Sequence, residues 1–222
     1  MTANLLDCLE INPDVPPEAS VIWLHGLGAD AHDFEPVVAE FPLSRLVPTR
    51  FVFPNAPQRP VTINGGFVMR AWYDITGADL GRMVDIGGVD ASCTEVARLV
   101  DRERAAGIPA ARIILAGFSQ GGVIALETAA RYPLRLGGVI ALSTYLAQPE
   151  QLPTAKDALP VFMAHGRDDP IVPYTLGQHG RAVLESRGYA VEWHAYPMPH
   201  SVCATEIADI GAWLVQRLPA SS

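Results

Sequence analysis

The stretch "ILAGFSQGGVIAL" occupies residues 114–126. Its first half is a short apolar run bounded by glycine, as in a buried strand. Its second half shifts to small and aliphatic residues at helical spacing. Ser119 stands at the junction, inside Gly117-Phe118-Ser119-Gln120-Gly121, a Gly-x-Ser-x-Gly pattern. A strand that turns straight into a helix lifts the corner side chain off the sheet, and its neighbours must be small to permit this. The turn also leaves the amide of Gln120 at a helix N-terminus, where it can stabilise negative charge. The plainer alternative is a serine helix cap between chance glycines.

Similar runs recur on both sides. "SVIWLHG" (20–26), "TRFVFP" (49–54), "RIILAGF" (112–118), "GGVIALS" (137–143), "LPVFMAHG" (159–166) and "AVEWHAY" (190–196) read as strands, with a weaker one in "LLDCLEI" (5–11). Most are continuously apolar, as strands covered on both faces are. Helical patterns alternate with them. In "VDASCTEVARLVDRERAAG" (89–107), Val89, Val96, Leu99 and Val100 share a face and Gly107 ends the run. Residues 119–131, 175–186 and 204–218 also read as helices. The alternation predicts one α/β domain over 1–222 with a mostly parallel, doubly wound sheet. No composition break marks a linker.

Residues 55–88 interrupt the alternation. They are rich in Gly and Pro and show no clean period, and a loop this long is often a lid or a binding loop. They also carry Phe67, Met69, Trp72, Tyr73, Ile75, Leu80 and Met83. These large apolar groups either fold back as a satellite core or wall an apolar substrate pocket, and both roles are compatible.

Composition narrows the function. The formal net charge is −8 and Lys156 is the only lysine, which disfavours nucleic-acid binding. No apolar stretch is long enough to span a bilayer. The start, "MTANLLDCLE", lacks the basic and apolar regions of a signal peptide. Cys8, Cys93 and Cys203 are odd in number and widely spaced, so a reducing cytoplasm is expected rather than a disulfide framework. Cys203 is read as a buried structural thiol.

A serine hydroxyl needs a base to become a nucleophile. On a doubly wound sheet the order is nucleophile, acid, histidine, so the base lies late in the chain. His179 falls in a predicted helix and His194 in a predicted strand. His200, in "PMPHS" (197–201), falls in a loop at the end of the last strand, where such sheets place their chemistry. The acid lies beyond "LPVFMAH", at Asp168 or Asp169 of "HGRDDPIVP" (165–173). Pro170 biases Asp169 toward an extended backbone, which favours it, with Asp168 left to cap the turn or the next helix. A second oxyanion donor is the amide of Leu27, in the glycine-rich "HGLGAD" (25–30). That stretch also fits a dinucleotide fingerprint through Gly26, Gly28 and Ala31. The next strand ends "VFPNAP" without the acid that fingerprint requires. No P-loop, HExxH or metal cluster is evident, so no cofactor and no metal are expected.

Taken together, "WLHGLGAD", "PNAP", "WYDI", "AGFSQGG", "ALSTY", "HGRDDPIVP" and the late His200 resemble the small carboxylesterases and acyl-protein thioesterases of the α/β-hydrolase superfamily. The resemblance runs from about residue 20 to 218. It implies an α/β-hydrolase fold without a large cap. Ser119 is implied as nucleophile, Asp169 as acid, His200 as base, and the Leu27 and Gln120 amides as the oxyanion hole. The implied activity is a serine carboxylesterase acting on short-to-medium acyl esters, with thioesterase or lysophospholipase activity as alternatives. Substrates would be small or lipid-like, and a homodimer is implied. Trp72, Ile75 and Val172 are the expected substrate-binding residues. Pro199 stands where the bacterial branch leads one to expect glycine, which stiffens the His200 loop. A rival of another class is a non-catalytic binding module on the same fold, although such proteins usually lose a triad member. A cysteine in place of the serine would point to dienelactone hydrolases, and Ser119 argues against them.

Overall fold

The computed structural model describes residues 5–77 and 84–220, so Leu80 and Met83 lie outside the described residues. A seven-stranded sheet organises the chain. Its strands are β1 (Cys8–Ile11), β2 (Ala19–Leu24), β3 (Thr49–Pro54), β6 (Ile113–Phe118), β7 (Gly138–Leu142), β8 (Pro160–Gly166) and β9 (Ala190–Tyr196), in spatial order β1-β3-β2-β6-β7-β8-β9. Only the β1–β3 pair is antiparallel. The helices are α1 (Ile86–Ala105), α2 (Gln120–Arg131), α3 (Tyr174–Ser186) and α4 (Ala204–Arg217).

The apolar runs of the sequence follow from two-sided burial. In β2, Ile22 and Leu24 face one core while Val21 and Trp23 face the other. In β6, Ile113 and Leu115 divide from Ile114 and Ala116 in the same way. Alternate side chains point to opposite faces, so a strand covered on both faces must be apolar throughout. The first core is closed by α1, α2 and α3, through Val89, Val96, Leu99, Val100, Val123 and Leu184. The second is closed by α4 and residues 34–41, where the Trp23 ring stacks on Phe34 at 5.1 Å and on Phe41 at 6.0 Å.

The strand order fixes where chemistry can occur. From β2 the chain moves outward to β3, then returns to place β6 on the other side of β2. The loops leaving β2 and β6 therefore diverge and open a crevice at the carboxyl ends of those strands. The "HGLG" loop follows β2, and Ser119 follows β6.

Two sequence expectations are corrected. Residues 55–88 are not without regular structure. They contain an antiparallel hairpin of β4 (Gln58–Val61) and β5 (Phe67–Arg70), with Phe67 and Val68 exposed. Gly65 and Gly66, both at positive φ, make its turn. The hairpin is too short and too exposed to show a clear alternation. Cys203 is half-buried at the N-terminal boundary of α4 rather than enclosed.

One turn further along α4, Glu206 is fully buried, and the Cys203 amide beside its carboxyl offsets only part of the loss of water. Burial raises its pKa from 4.5 to about 8, and nearby Asp209 adds to the effect. The folded chain therefore holds a proton that the unfolded chain releases between these values. Stability should fall as pH rises across that window. Thermal melts at pH 5 and pH 9 should show a larger loss of Tm in the wild type than in Glu206→Gln. Equal losses would mean that Glu206 does not titrate in this range.

Candidate active site

β6 becomes α2 through a single residue. Ser119 has φ 55° and ψ −119°, a left-handed backbone that costs a non-glycine residue about 1–3 kcal/mol and persists only where its surroundings fix it. Here they do. The Ser119 amide donates to the Leu142 carbonyl at 2.9 Å, and the Thr144 hydroxyl donates to the Ser119 carbonyl at 2.7 Å. The glycines answer to crowding. A Cβ on Gly117 would lie 2.2 Å from the Gly121 carbonyl oxygen, and one on Gly121 would lie 2.3 Å from that of Leu24. The second approach presses α2 against the end of β2 and brings the "HGLG" loop beside Ser119.

The Asp169–His200 pair comes from the far side of the crevice. Asp169 follows β8 and is almost wholly buried. Its Oδ1 accepts from the amides of Ile171 and Val172, both at 2.9 Å. Its Oδ2 faces His200 Nδ1 at 2.7 Å. A carboxylate can only accept, so Nδ1 carries the hydrogen and Nε2 is the nitrogen available to the serine. The Phe118 ring lies 4.6 Å from the imidazole. Asp168 was expected to cap this turn. It is instead exposed, and Asp169 caps the turn itself while also holding His200. His179 is exposed on α3, and His194 pairs with Glu192 on β9 at 2.8 Å.

Leu27 and Gln120 both line the same crevice. Gln120 is the first residue of α2, so its N–H has no intrahelical partner. Its side chain binds residues 72–73: Oε1 accepts from the Trp72 amide at 3.1 Å, and Nε2 donates to the Tyr73 carbonyl at 2.9 Å. His25, ahead of Leu27, links the same pieces. Its Nδ1–H donates to the Gly26 carbonyl at 2.7 Å, and its Nε2 accepts from the Ala56 amide at 3.1 Å. Burial lowers its pKa, which keeps it neutral and suited to both bonds.

Ser119, His200, Leu27 and Gln120 line one cavity of about 250 Å³. Its apolar wall includes Phe118, Ile75, Val172 and Ile171, and the Tyr73 and Tyr145 rings border it with their hydroxyls 3.0 Å apart. Burial raises both phenol pKa values, that of Tyr145 to about 12. Asp33 also lines the cavity, and partial burial raises its carboxyl pKa. Ile75 and Val172 both line this cavity. Trp72 does not. It is fully buried outside this lining, and its Nε1 donates to the His25 carbonyl at 2.9 Å. Its indole N–H needs a partner once buried, and the carbonyl at the end of β2 supplies one. Tyr73, one of the large groups of 55–88 read as satellite core or pocket wall, lines the cavity, whereas Tyr145 was missed because a lone aromatic residue in "ALSTY" carries no mark of which way it faces. Among the described residues, no group of three or more His, Cys, Asp or Glu side chains could hold a metal ion.

The geometry agrees with what the chain is similar to. The profile of the phospholipase/carboxylesterase family matches residues 7–217. Acyl-protein thioesterase 1 of Neurospora crassa is 39% identical over 90% of this chain and 87% of its own length. Carboxylesterase SOBER1 of Arabidopsis thaliana is 34% identical over 91% and 92%. The crystal structure of SOBER1 superposes with a TM-score of 0.82 at 32% identity, covering 90% of this chain and 98% of that one. The acyl-protein thioesterase 2 of Zea mays superposes equally well, at 28% identity over 95% and 98%. With an uncapped seven-stranded α/β sheet and a match over nearly its whole length, the chain belongs to the phospholipase/carboxylesterase family of the α/β-hydrolase superfamily.

Proposed function

We propose that this protein is a serine carboxylesterase that cleaves short-to-medium acyl esters through an acyl-enzyme. The observation that carries this reading is the 2.7 Å contact of His200 Nδ1 with Asp169, which leaves Nε2 available in a cavity that also exposes the strained Ser119. His200 takes the Ser119 proton as Oγ attacks the ester carbonyl. The oxyanion forms between the Leu27 and Gln120 amides. The ester C–O bond then breaks, and His200 returns the proton to the departing alkoxide. Water repeats the sequence on the acyl-enzyme: His200 takes one of its protons, the acid leaves, and Ser119 recovers its hydroxyl.

The apolar wall of Ile75, Val172 and Ile171 suits an acyl chain, and a lipid-like chain fits the same chemistry. Thioester cleavage proceeds by the same steps with a thiolate leaving group, and the thioesterase names of the relatives favour it as the second reading. Ile171, 59% exposed at the cavity, leaves the mouth accessible to a bulky leaving group.

With p-nitrophenyl butyrate, Ser119→Ala should lose about 10⁴-fold or more in kcat. Labelling of the folded wild type by a fluorophosphonate should disappear in this variant. An unlabelled wild type would favour a non-catalytic binding module. Asp169→Asn should cost on the order of 10³- to 10⁴-fold, since the imidazole tautomer is lost. Asp168→Asn should cost far less, and the reverse order would move the acid to Asp168. Val172→Phe should lower kcat/KM for hexanoate about 10-fold more than for acetate, the scale on which apolar pockets discriminate. Equal losses on both esters would remove Val172 from the acyl wall.

A further inference from the structure

His165 lies near the end of β8, completely buried, and the steps above do not use it. Its Nε2 sits 2.9 Å from the Val172 carbonyl and 3.5 Å from Asp169 Oδ2. Both oxygens only accept, so Nε2 carries the hydrogen. The other ring nitrogen, Nδ1, is buried without a hydrogen-bond partner among the described residues. α3 closes over it so tightly that a Cβ on Gly177 would come within 2.5 Å of Nδ1. Tyr174 meets the imidazole edge-on at 5.9 Å, and Trp193 lies 6.3 Å away. A second proton on Nδ1 would have no acceptor, and burial lowers the pKa to match. The ring is therefore a fixed neutral donor aimed at the 169–172 turn.

We propose that His165 is a positioning residue for the acid–base pair. This rests on the triad reading above. Val172 is held at both ends, its amide by Asp169 Oδ1 and its carbonyl by His165. Asp169 cannot rotate away from His200 without giving up the two turn amides, and His165 fixes the turn that supplies them. The same Nε2–H group lies 3.5 Å from Oδ2, the oxygen on which His200 depends. It offsets part of the carboxylate charge that would otherwise stabilise the His200 imidazolium. The charged groups acting on His165 itself are Asp169 and His200. Arg167 and Arg181 stand 5.9 Å from the Tyr174 and Trp193 ring centres respectively.

The test compares His165→Leu, which removes the donor, with His165→Gln, which returns an N–H near the Nε2 position. His165→Leu should lower kcat about 10- to 100-fold with KM nearly unchanged, the scale of a small misplacement of reacting groups. The acid limb of its kcat/KM profile should move up by about half a pH unit. His165→Gln should recover most of both. Gly177→Ala should lower kcat in the same direction by pushing the imidazole from below, which keeps the test open if His165→Leu does not fold. Wild-type kcat and an unmoved acid limb in a folded His165→Leu or Gly177→Ala would overturn the proposal, as would equal losses in the Leu and Gln variants. Fluorophosphonate labelling and Ser119→Ala separate the two readings. If Ser119→Ala keeps activity, the triad falls; if it is inactive while the His165 and Gly177 variants match the wild type, only the positioning role falls.

Discussion

The site depends on one close approach, that of the α2 N-terminus to the end of β2. Gly121 lies so near the Leu24 and His25 carbonyls that no side chain fits there. That contact makes the turn after β6 sharp, and the sharp turn drives Ser119 into its left-handed backbone. The same contact sets the "HGLG" loop against the corner. The strain at Ser119 and the placing of Leu27 and Gln120 around it are thus consequences of how β6 is joined to α2 in the groove beside β2. The neighbouring bonds from Ser119 to Leu142 and Thr144 show the strain being held from β7 as well. A corner supported from two strands can stay bent without a ligand.

The acid arm follows a comparable economy. Asp169 serves both as the cap of its own turn and as the partner of His200. Its oxygens are divided, Oδ1 toward backbone amides and Oδ2 toward imidazole. A carboxylate fixed by two amides has little freedom to turn, so His200 is held in one tautomer before any substrate arrives. Pro170 biases the residue before it away from the helical region, which suits the turn whose amides Oδ1 collects. Asp168, one position earlier, points its charge to solvent and needs no such support.

What could be read directly from the chain follows the strength of its periodicities. β2, β6, β7 and β8 are buried on both faces, so their apolar runs are unbroken and each expected boundary lies within a residue or two of the observed strand. Ser119 and its glycines were legible because the corner forbids side chains at fixed positions. Asp169 and His200 were legible from chain order together with loop position. The β4–β5 hairpin was not, because a four-residue strand with an exposed face gives no period to detect. Trp72 misled for a related reason. A tryptophan in an irregular segment looks the same whether it lines a pocket or fills a core, and only the His25 carbonyl decides the matter. His165 was visible as part of "HGRDDPIVP", but its bond to Val172 spans seven residues of turn and helix approach that no local spacing encodes.

Gln120 joins these strands of reasoning. Its backbone N–H is an oxyanion donor in the proposed mechanism, while its side chain binds the backbone of Trp72 and Tyr73. Trp72 in turn binds the His25 carbonyl, and His25 binds Ala56 and Gly26. A chain of hydrogen bonds therefore runs from α2 through residues 72–73 to the "HGLG" loop. Tyr73 and Ile75, which line the cavity beside Ser119, hang from that chain. A change in the wall that shifts residues 72–73 must also pull on Gln120. In the proposed mechanism acyl selectivity and turnover are therefore mechanically coupled, and an alteration of residues 72–75 acts on the chemical step as well as on binding.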